Sequence, residues 1–584
     1  AARAARRGRA AMGLVRAARE FVRRMISDAE GMKVLLVDKS TVMTVSAAYS
    51  QSEILQQEVF LVEQLGDGSE EEMRHMKAVV FVRPSRQSIN LLKAALRNPR
   101  FGEYTLYFSN VVNESDLQEL ADADEGELVT GVHEYFADFS PLDELHFAVT
   151  TSSLSGGGTA ALLAPSQWDP NASQLCVERA TSGLCAALLA LKRRPIVRYA
   201  SQSETARRVA SGVARAIESD PVLYDFRAPA GSGAPVLLVL DRRDDPVTPL
   251  LSQWTYQAML HEVIGMENNT LDLKKVGASG PKELGAQLLV AASSDDFFRS
   301  NMYENYGDLG ANVKTLVDEF QSKTKSNQNI SSIEDMQRFV DSYPEFRKLS
   351  GNVSKHVALM SELSRLIDER HLMAVSQQEQ ELACSDGQSA AYEGVLSLLS
   401  THNLREQEKL RLVMLFGLRY ERSGSAQLRS LLERLEETGV PRRRCGLVRT
   451  LVQIAGAAQR TGDLYGDKSF FGRAAGSVAR GLRGVDNVYT QHVPALAGHV
   501  DGARKGKLKE TEFPFAGAAP PAGATERPSE VIVFIVGGST YEEARWVATN
   551  QQGGRCVLGG TGVLNSQDFL AALDEVSASE QCYN

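Results

Sequence analysis

Two unbroken apolar runs, VLLVL at Val236–Leu240 and VIVFIV at Val531–Val536, lie far apart in a chain of 584 residues. Each has the composition of a strand covered on both faces, as in a parallel sheet. The second is followed by a helical pattern from Tyr541 and a short strand pattern at Arg555–Leu558. A lone strand–helix–strand unit cannot bury both of its faces, so it must complete a sheet begun earlier in the chain. The sequence therefore predicts a sheet assembled from discontinuous segments, with the intervening block inserted into it.

The remaining periodicity completes this picture. Strand patterns at Lys33–Val37, Ala78–Val82 and Tyr104–Phe108 alternate with helix patterns at Ser50–Leu65, Ser85–Leu96 and Glu114–Ala121, which predicts a first parallel sheet covered by helices. In the first of these helices Ile54, Leu55, Glu58, Val59 and Val62 are expected to share the sheet-facing stripe. A second α/β set starts at LHFAV near Leu145 and continues through Ile196–Tyr199 and Val236–Leu240. Strand signals then vanish until Val531. The block between reads as helices at Val313–Lys325, Ser332–Ser342, Lys355–Glu369, Glu406–Tyr420 and Ala426–Glu437, with Leu428, Leu431, Leu432 and Leu435 at helical spacing. No internal repeat marks a solenoid. The fold class is α/β with a large all-helical insertion and two parallel-type sheets.

A formal charge of -9 argues against nucleic acid as a partner. The six cysteines, at 176, 185, 384, 445, 556 and 582, show neither a CxxC pair nor metal-ligand spacing, which suits reduced thiols. No apolar run approaches a membrane span, so membrane association is expected through partners or the surface. Arg3, Arg6, Arg7 and Arg9, with Arg16, Arg19, Arg23 and Arg24 on an amphipathic pattern, fit an organelle transit peptide. The favoured reading is instead a chain that starts at Met12, with Ala1–Ala11 an extension. Between Asp501 and Ser529, Arg504, Lys505, Lys507 and Lys509 precede GAAPPAGATERP, the composition of a solvated loop.

Catalytic chemistry is hard to find. Asp241, Asp244 and Asp245 could hold a hard divalent cation, but Arg242 and Arg243 lie among them and no further ligand pattern follows. Gly156–Thr159 and Gly559–Gly562 lack the GK[ST] of a phosphate loop and read as turns. Gly537–Gly538 has the strand-to-helix order of an anion site, which a tight turn also explains. His261 and Glu262 lie on a helix with no second histidine a turn later, so His261 reads as structural. No metal and no cofactor are expected.

The segments MKVLLVDKST, YSQSEILQQEVFLVEQL, LDRRDDPVTPLLSQWTYQAMLHE, SYPEFRKLSGNVSKHVALMSELSRLI and VIVFIVGGSTYEEAR resemble the SM family (the Sec-one/Munc-eighteen proteins), and the resemblance runs from Met32 to Leu573. It implies a three-domain arch: residues 1–138, a discontinuous central domain of 139–249 and 491–584, and a helical domain of 250–490. It implies a non-enzymatic, monomeric regulator of vesicle fusion that binds a syntaxin-class SNARE and promotes SNARE assembly. It places that regulator in the cytoplasm, peripheral on Golgi, trans-Golgi and endosomal membranes, in trafficking to the vacuole. A passive trafficking scaffold and a nucleotide-dependent enzyme are the alternatives. Two sites follow from the resemblance. Leu117, Leu120, Val129 and Val132, with Glu134, match a pocket for the N-terminal peptide of a syntaxin, although the apolar four could simply pack a helix on the sheet. Asp335, Phe339, Tyr343, Pro344, Phe346 and Lys348 match a SNARE-binding helical hairpin in which Pro344 is either a hinge or a fixed helix stop.

Overall fold

The structure, a computed structural model, describes residues 12–67, 71–151, 158–165, 168–226, 233–267, 269–272, 287–328, 333–401, 404–462, 464–465, 489–517 and 527–583. The side chains of 51–52, 325–328, 333–348 and 580–583 are not described. Internal contacts divide the chain into two compact units. The first runs to Arg242 and adds Leu496–Ser539 and Trp546–Val563; the second comprises Arg243–Ala495, Thr540–Arg545 and Leu564–Asn584.

In the first unit, helix α1 (Leu14–Asp28) precedes a five-stranded parallel sheet. Its strands are β1 (Lys33–Val37), β2 (Val59–Gln64), β3 (Met73–Val82), β4 (Phe101–Phe108) and β5 (Val129–Glu134), in the order β2-β1-β3-β4-β5. Helices α2 (Val42–Ala48) and α3 (Gln51–Leu55) follow β1, while α4 (Arg86–Arg97) and α5 (Glu114–Ala123) follow β3 and β4. Ser85 starts α4 by accepting from the Ser88 amide, satisfying one of the donors a helix start leaves open. The expected helix Ser50–Leu65 is corrected: it ends at Leu55, and VFLVEQ forms edge strand β2. Glu58 breaks the helix with a left-handed φ of 62°, after which the β-branched and aromatic run pairs with β1. Ile54 and Val59 are buried, but Leu55 and Val62 are exposed, so the single stripe does not exist.

The chain continues through β6 (Ser140–Pro141), β7 (His146–Ala148), helices α6 (Gly158–Leu163), α7 (Pro170–Leu191), strand β8 (Ile196–Tyr199), helix α8 (Glu204–Ser219) and β9 (Val236–Asp241). In the second unit, β10 (Met266–Glu267), β11 (Thr270–Asp272) and β12 (Gln287–Leu289) make a small antiparallel sheet, which corrects the expectation of a strand-free block. Two- and three-residue strands leave too little alternation to detect. Strands β13 (Glu530–Val536) and β14 (Arg555–Gly560) then return to the first unit. There β13 lies between β9 and β14 in a sheet ordered β6-β7-β14-β13-β9-β8, so the distant apolar runs pair directly, Val533 beside Leu238. The second sheet is discontinuous, as the burial argument requires.

Helix α1 belongs to two cores. Leu14 and Ala17 pack in the cluster of the second sheet, and Val22, Met25 and Ile26 in the α1/α2 face of the first. That burial corrects the transit-peptide reading for residues 14–28: removing them would open both cores. Ala1–Ala11 lie outside the described residues. Helix α7 is apolar and long enough to cross a membrane, but it is largely buried in the second sheet's core.

The solvated-loop expectation also needs correction. Residues 496–504 form a helix, and 513–516 lie along β8, with Tyr199 N donating to Pro514 O, Ala516 N to Val197 O and Arg198 Nε to Phe513 O. Arg198 stacks on Phe515 at 4.6 Å. The aromatics of EFPF supplied a packing signal that the lysines before them obscured. Residues 518–526 lie outside the described residues.

In the second unit, helices α9 (Tyr256–Met259), α10 (Asp296–Asn301), α11 (Tyr306–Gln328), α12 (Ile333–Glu369), α13 (Leu372–Cys384), α14 (Gln388–Leu399), α15 (Glu406–Arg419), α16 (Ser425–Glu437) and α17 (Arg442–Ala455) build the helical block. A further helix, Ser566–Tyr583, joins them from the C-terminal part of the chain. The expected pair of helices ending at Ser342 and restarting at Lys355 is a single helix, α12, running through Pro344. One interior proline costs about 3 kcal/mol and a hydrogen bond, which leaves the rest of a helix of 37 residues free to propagate on both sides.

Candidate partner-binding site

Helix α5 begins at Asn113, whose extended backbone suits a helix start, and Glu114 and Asp116 in its first turn complement the positive end of the helix dipole. It ends at Asp124, whose carboxylate accepts from the amides of Leu128 and Val129 at 2.9 and 3.0 Å and so sets where β5 begins. On the far side of α5, Arg86 reaches Glu119 at 2.9 Å and Lys93 also bonds it; these two hydrogen bonds hold the Glu119 carboxyl down at about 2.

Strand β5 pairs with β4 through a register shift. Tyr104 faces Val129, Thr105 faces Gly131, Leu106 faces Val132 and Phe108 faces Glu134, so Thr130 is the extra residue of a bulge. Val129 and Val132, three apart, would otherwise point to opposite faces of a strand. The bulge puts both, with Glu134, on the face where Tyr104, Leu106 and Phe108 meet α5. His133 falls on the opposite face and stacks on Tyr107 at 4.8 Å, next to Tyr135 and Phe21.

Five residues named from the sequence are therefore brought together, but at different depths. Leu120 is core, at 4% exposure; Leu117 and Val129 are half-buried against that core; Val132 is 45% exposed. Glu134 is exposed and accepts from the Val112 amide at 2.8 Å, fixing its carboxylate beside Val111, another exposed apolar side chain at 58%. Val111 was missed in the sequence because a single valine in a loop carries no periodicity. The result is an apolar edge with a carboxylate at one end, alongside a strand whose outer edge pairs with no other strand among the described residues. Such an edge suits an extended or helical peptide carrying an apolar anchor and a basic group.

The side chains of Asp335, Phe339, Tyr343, Pro344, Phe346 and Lys348 lie outside those described; their backbone is helical. Further along α12, a buried network went unseen in the sequence. Asp295 starts α10 by accepting from Phe298 N at 2.9 Å, and the same carboxylate takes Lys355 Nζ and His356 Nε2, the latter at 3.0 Å. Tyr256 Oη lies 2.8 Å from His356 Nδ1, consistent with a neutral ring that donates to Asp295 and accepts from the tyrosine. Burial acts to raise the Asp295 carboxyl, but the hydrogen bond from His356 and the charge and hydrogen bond of Lys355 outweigh it, so the group is held well below the usual carboxylate range. Asp295 before Asp296-Phe297-Phe298 was a visible capping signal; its meeting with residues 355 and 356 was not.

The aspartates of the charged turn serve the fold. Asp241 accepts from Ser203 Oγ, Asp244 from the Thr461 amide at 2.7 Å, and Asp245 from Thr248 and the Ala495 amide. Among the described residues no group of His, Cys, Asp or Glu side chains is arranged to hold a metal. His261 is buried, which pushes its imidazole down to about 4, and it meets Tyr541 edge-on at 5.0 Å. Gly537 and Gly538 make the strand-to-helix turn with φ of 92° and 103°, and Gly537 N donates to Thr561 Oγ1. Gly559 and Gly560 are strand rather than turn: they end β14, where Phe147 occupies the space a side chain on Gly559 would need. Gly158 opens α6, and Gly156 and Gly157 lie outside the described residues.

A parallel sheet with a bulged apolar edge, a second sheet assembled from discontinuous segments and a long inserted helix together define a class of protein, and residues 33–572 match the Sec1 family. The chain belongs to that family, the SM proteins. It is 48% identical to the vacuolar protein sorting-associated protein 45 homolog of Arabidopsis thaliana over 97% of this chain and 98% of that one. To vacuolar protein sorting-associated protein 45 of Homo sapiens it is 42% identical over 97% and 96%. The solved structure of the SM protein Vps45 in complex with the Qa SNARE Tlg2 superposes with a TM-score of 0.86 at 42% identity, covering 97% of this chain and 99% of that one.

Proposed function

We propose that this protein is an SM-type regulator of vesicle fusion that binds a syntaxin-class SNARE and promotes SNARE complex assembly in Golgi, endosome and vacuole trafficking. The relatives support this reading: those named above are vacuolar sorting proteins, and the superposed Vps45 was solved bound to a Qa SNARE. The observation that carries the site assignment is the bulged β5 edge, where Val132 and Val111 are exposed over Leu117 and Val129 with Glu134 fixed beside them. There the N-terminal peptide of the SNARE docks. Residues 1–138 serve as the peptide-binding domain, 139–249 with 491–584 as the central domain, and 250–490 as the helical domain. Within the last, Asp335–Lys348 on α12 contacts the SNARE helices. The protein acts by binding rather than catalysis, needs no cofactor, works as a monomer and is cytoplasmic, held to Golgi, trans-Golgi and endosomal membranes by its partner.

The test is a pull-down of syntaxin-class cytosolic regions with and without their N-terminal peptide, followed by a fluorescence assay of SNARE assembly. Peptide-dependent capture with faster assembly supports the reading. Capture without any change in assembly rate would make the protein a passive scaffold. Saturable nucleotide turnover lost in Asp241→Asn would make it an enzyme.

A further inference from the structure

Within the second unit a cavity of about 160 Å³ lies at the start of α15 and at the start of the helix Ser566–Tyr583. That volume corresponds to roughly five waters at their share of liquid volume, about 30 Å³ each. The two helix starts are joined there: Gln407 Nε2 donates to Ser566 Oγ at 2.9 Å. Arg405, at the position before α15, makes no side-chain cap, so the first-turn amides of that helix lack the usual acceptor. An uncapped helix start is a place where an anion is stabilised by aligned N–H groups.

The charges on the wall sharpen this. Arg411 is neutralised by Glu262 at 2.7 Å and Glu379 at 2.6 Å, and Arg405 meets Glu369 at 3.3 Å. His261 is held neutral near pH 7 by burial. Arg370 is different: it lines the cavity just beyond α12, its buried Nε has no hydrogen-bond partner, and among the described residues its guanidinium forms no ion pair. Burial first, and the like charge of Arg405 second, push it below its ordinary range. Glu408 is its counterpart. It is 5% exposed, lines the same cavity, and its Oε2 has no hydrogen-bond partner; its charge favours the Arg370 cation, but the two form no ion pair among the described residues. A half-buried guanidinium with an unsatisfied Nε and a buried carboxylate with an unsatisfied oxygen, facing one cavity without pairing, point to a bound species that bridges them. The wall also includes a π-helical turn, Leu260–Ile264, a distortion common at binding sites.

We propose that this cavity binds a small phosphate, as hydrogen phosphate or a phosphate monoester. Phosphate oxygens accept from Arg370, Arg405 and the amides opening α15, while the phosphate's own O–H donates to Glu408. Sulfate has the same shape but no proton to donate near neutral pH, so its oxygen would face the Glu408 carboxylate as like against like. The unpaired carboxylate therefore selects phosphate over sulfate.

The test is calorimetric titration of the full chain with inorganic phosphate and with sulfate at matched ionic strength. Saturable phosphate binding, with sulfate at least roughly ten-fold weaker, is expected. Arg370→Gln should weaken phosphate roughly ten- to a hundred-fold, the range for a charge-assisted bond. Glu408→Gln, nearly isosteric, should erase the preference, because it removes the negative charge and supplies an amide N–H₂ that donates to either anion. Flotation with phosphatidylcholine vesicles containing phosphatidic acid separates the sources: recruitment lost in Arg370→Gln assigns a lipid headgroup, and its absence beside tight inorganic phosphate binding assigns a soluble ligand. Equal phosphate and sulfate binding by the parent, or no saturable binding of either, overturns the proposal. That comparison needs no variant, so it stands even if Arg370→Gln fails to fold.

Discussion

Asp295→Asn should loosen the root of α12, and its cost can be worked from the structure. Asparagine caps helices about as well as aspartate, so the bond to Phe298 N is retained and the substitution isolates the charge. What is lost is the buried partner of Lys355 and His356, whose side chains are 12% and 0% exposed. Removing one member of a buried ion pair costs about 3–5 kcal/mol, because the other charge is left in low dielectric. Against a total stability of about 5–15 kcal/mol, that is enough to open the segment locally. The assay is hydrogen exchange over residues 349–369, with urea unfolding of the whole chain alongside. Faster exchange there, and not in the first unit, is expected; a cost under about 1 kcal/mol with unchanged exchange would show that the network does not hold α12. The pH dependence follows with a definite sign. The folded Asp295 pKa lies below its unfolded value of about 3.9, so its contribution is complete above about pH 4 and is lost as acid protonates it. His356, lowered chiefly by burial despite Asp295, acts in the same direction, losing stability as pH falls below about 6.5.

The remaining predictions concern the first unit. Leu120→Ala should cost about 2–4 kcal/mol in urea unfolding, because Leu120 is core, while Val132→Ala should cost under about 0.5 kcal/mol; equal costs would mean that Val132 is core too. Deleting residues 12–28 should leave the chain insoluble or dye-binding, since α1 closes two cores; a soluble chain with cooperative melting would contradict that. Gly537→Ala should destabilise by about 1–3 kcal/mol, because φ is 92° and the added Cβ would lie 2.8 Å from Arg242 Cβ; an unchanged melting temperature would refute this.

The long elements were readable in the sequence because they are strongly patterned. VLLVL and VIVFIV are apolar without interruption, and their need for cover on both faces predicted a pairing across the whole inserted block. Where the reading failed, local signals were short or ambiguous. VFLVEQ fits a helical stripe and a strand equally well, and only the left-handed Glu58 and the open edge of β1 decide for the strand. Pro344 reads as a boundary by propensity, but the helical pattern on either side carries the helix through it. The pocket residues were named from family resemblance; their spacing alone would have put Val129 and Val132 on opposite faces. The bulge at Thr130, invisible in the sequence, brings them together. Arg370 and Glu408 were unremarkable helix-end charges until the fold placed them on one wall.

The most direct test of the central claim is calorimetric titration of the intact chain with the N-terminal peptide of a syntaxin-class SNARE, comparing parent with Val132→Arg. Val132 is exposed on the bulged edge, so the arginine should leave the melting temperature unchanged while weakening the peptide roughly ten-fold or more, as expected for a residue at the centre of a small interface. Peptide binding of equal strength by the two proteins, or none by the parent, would contradict the assignment of this edge as the SNARE peptide site.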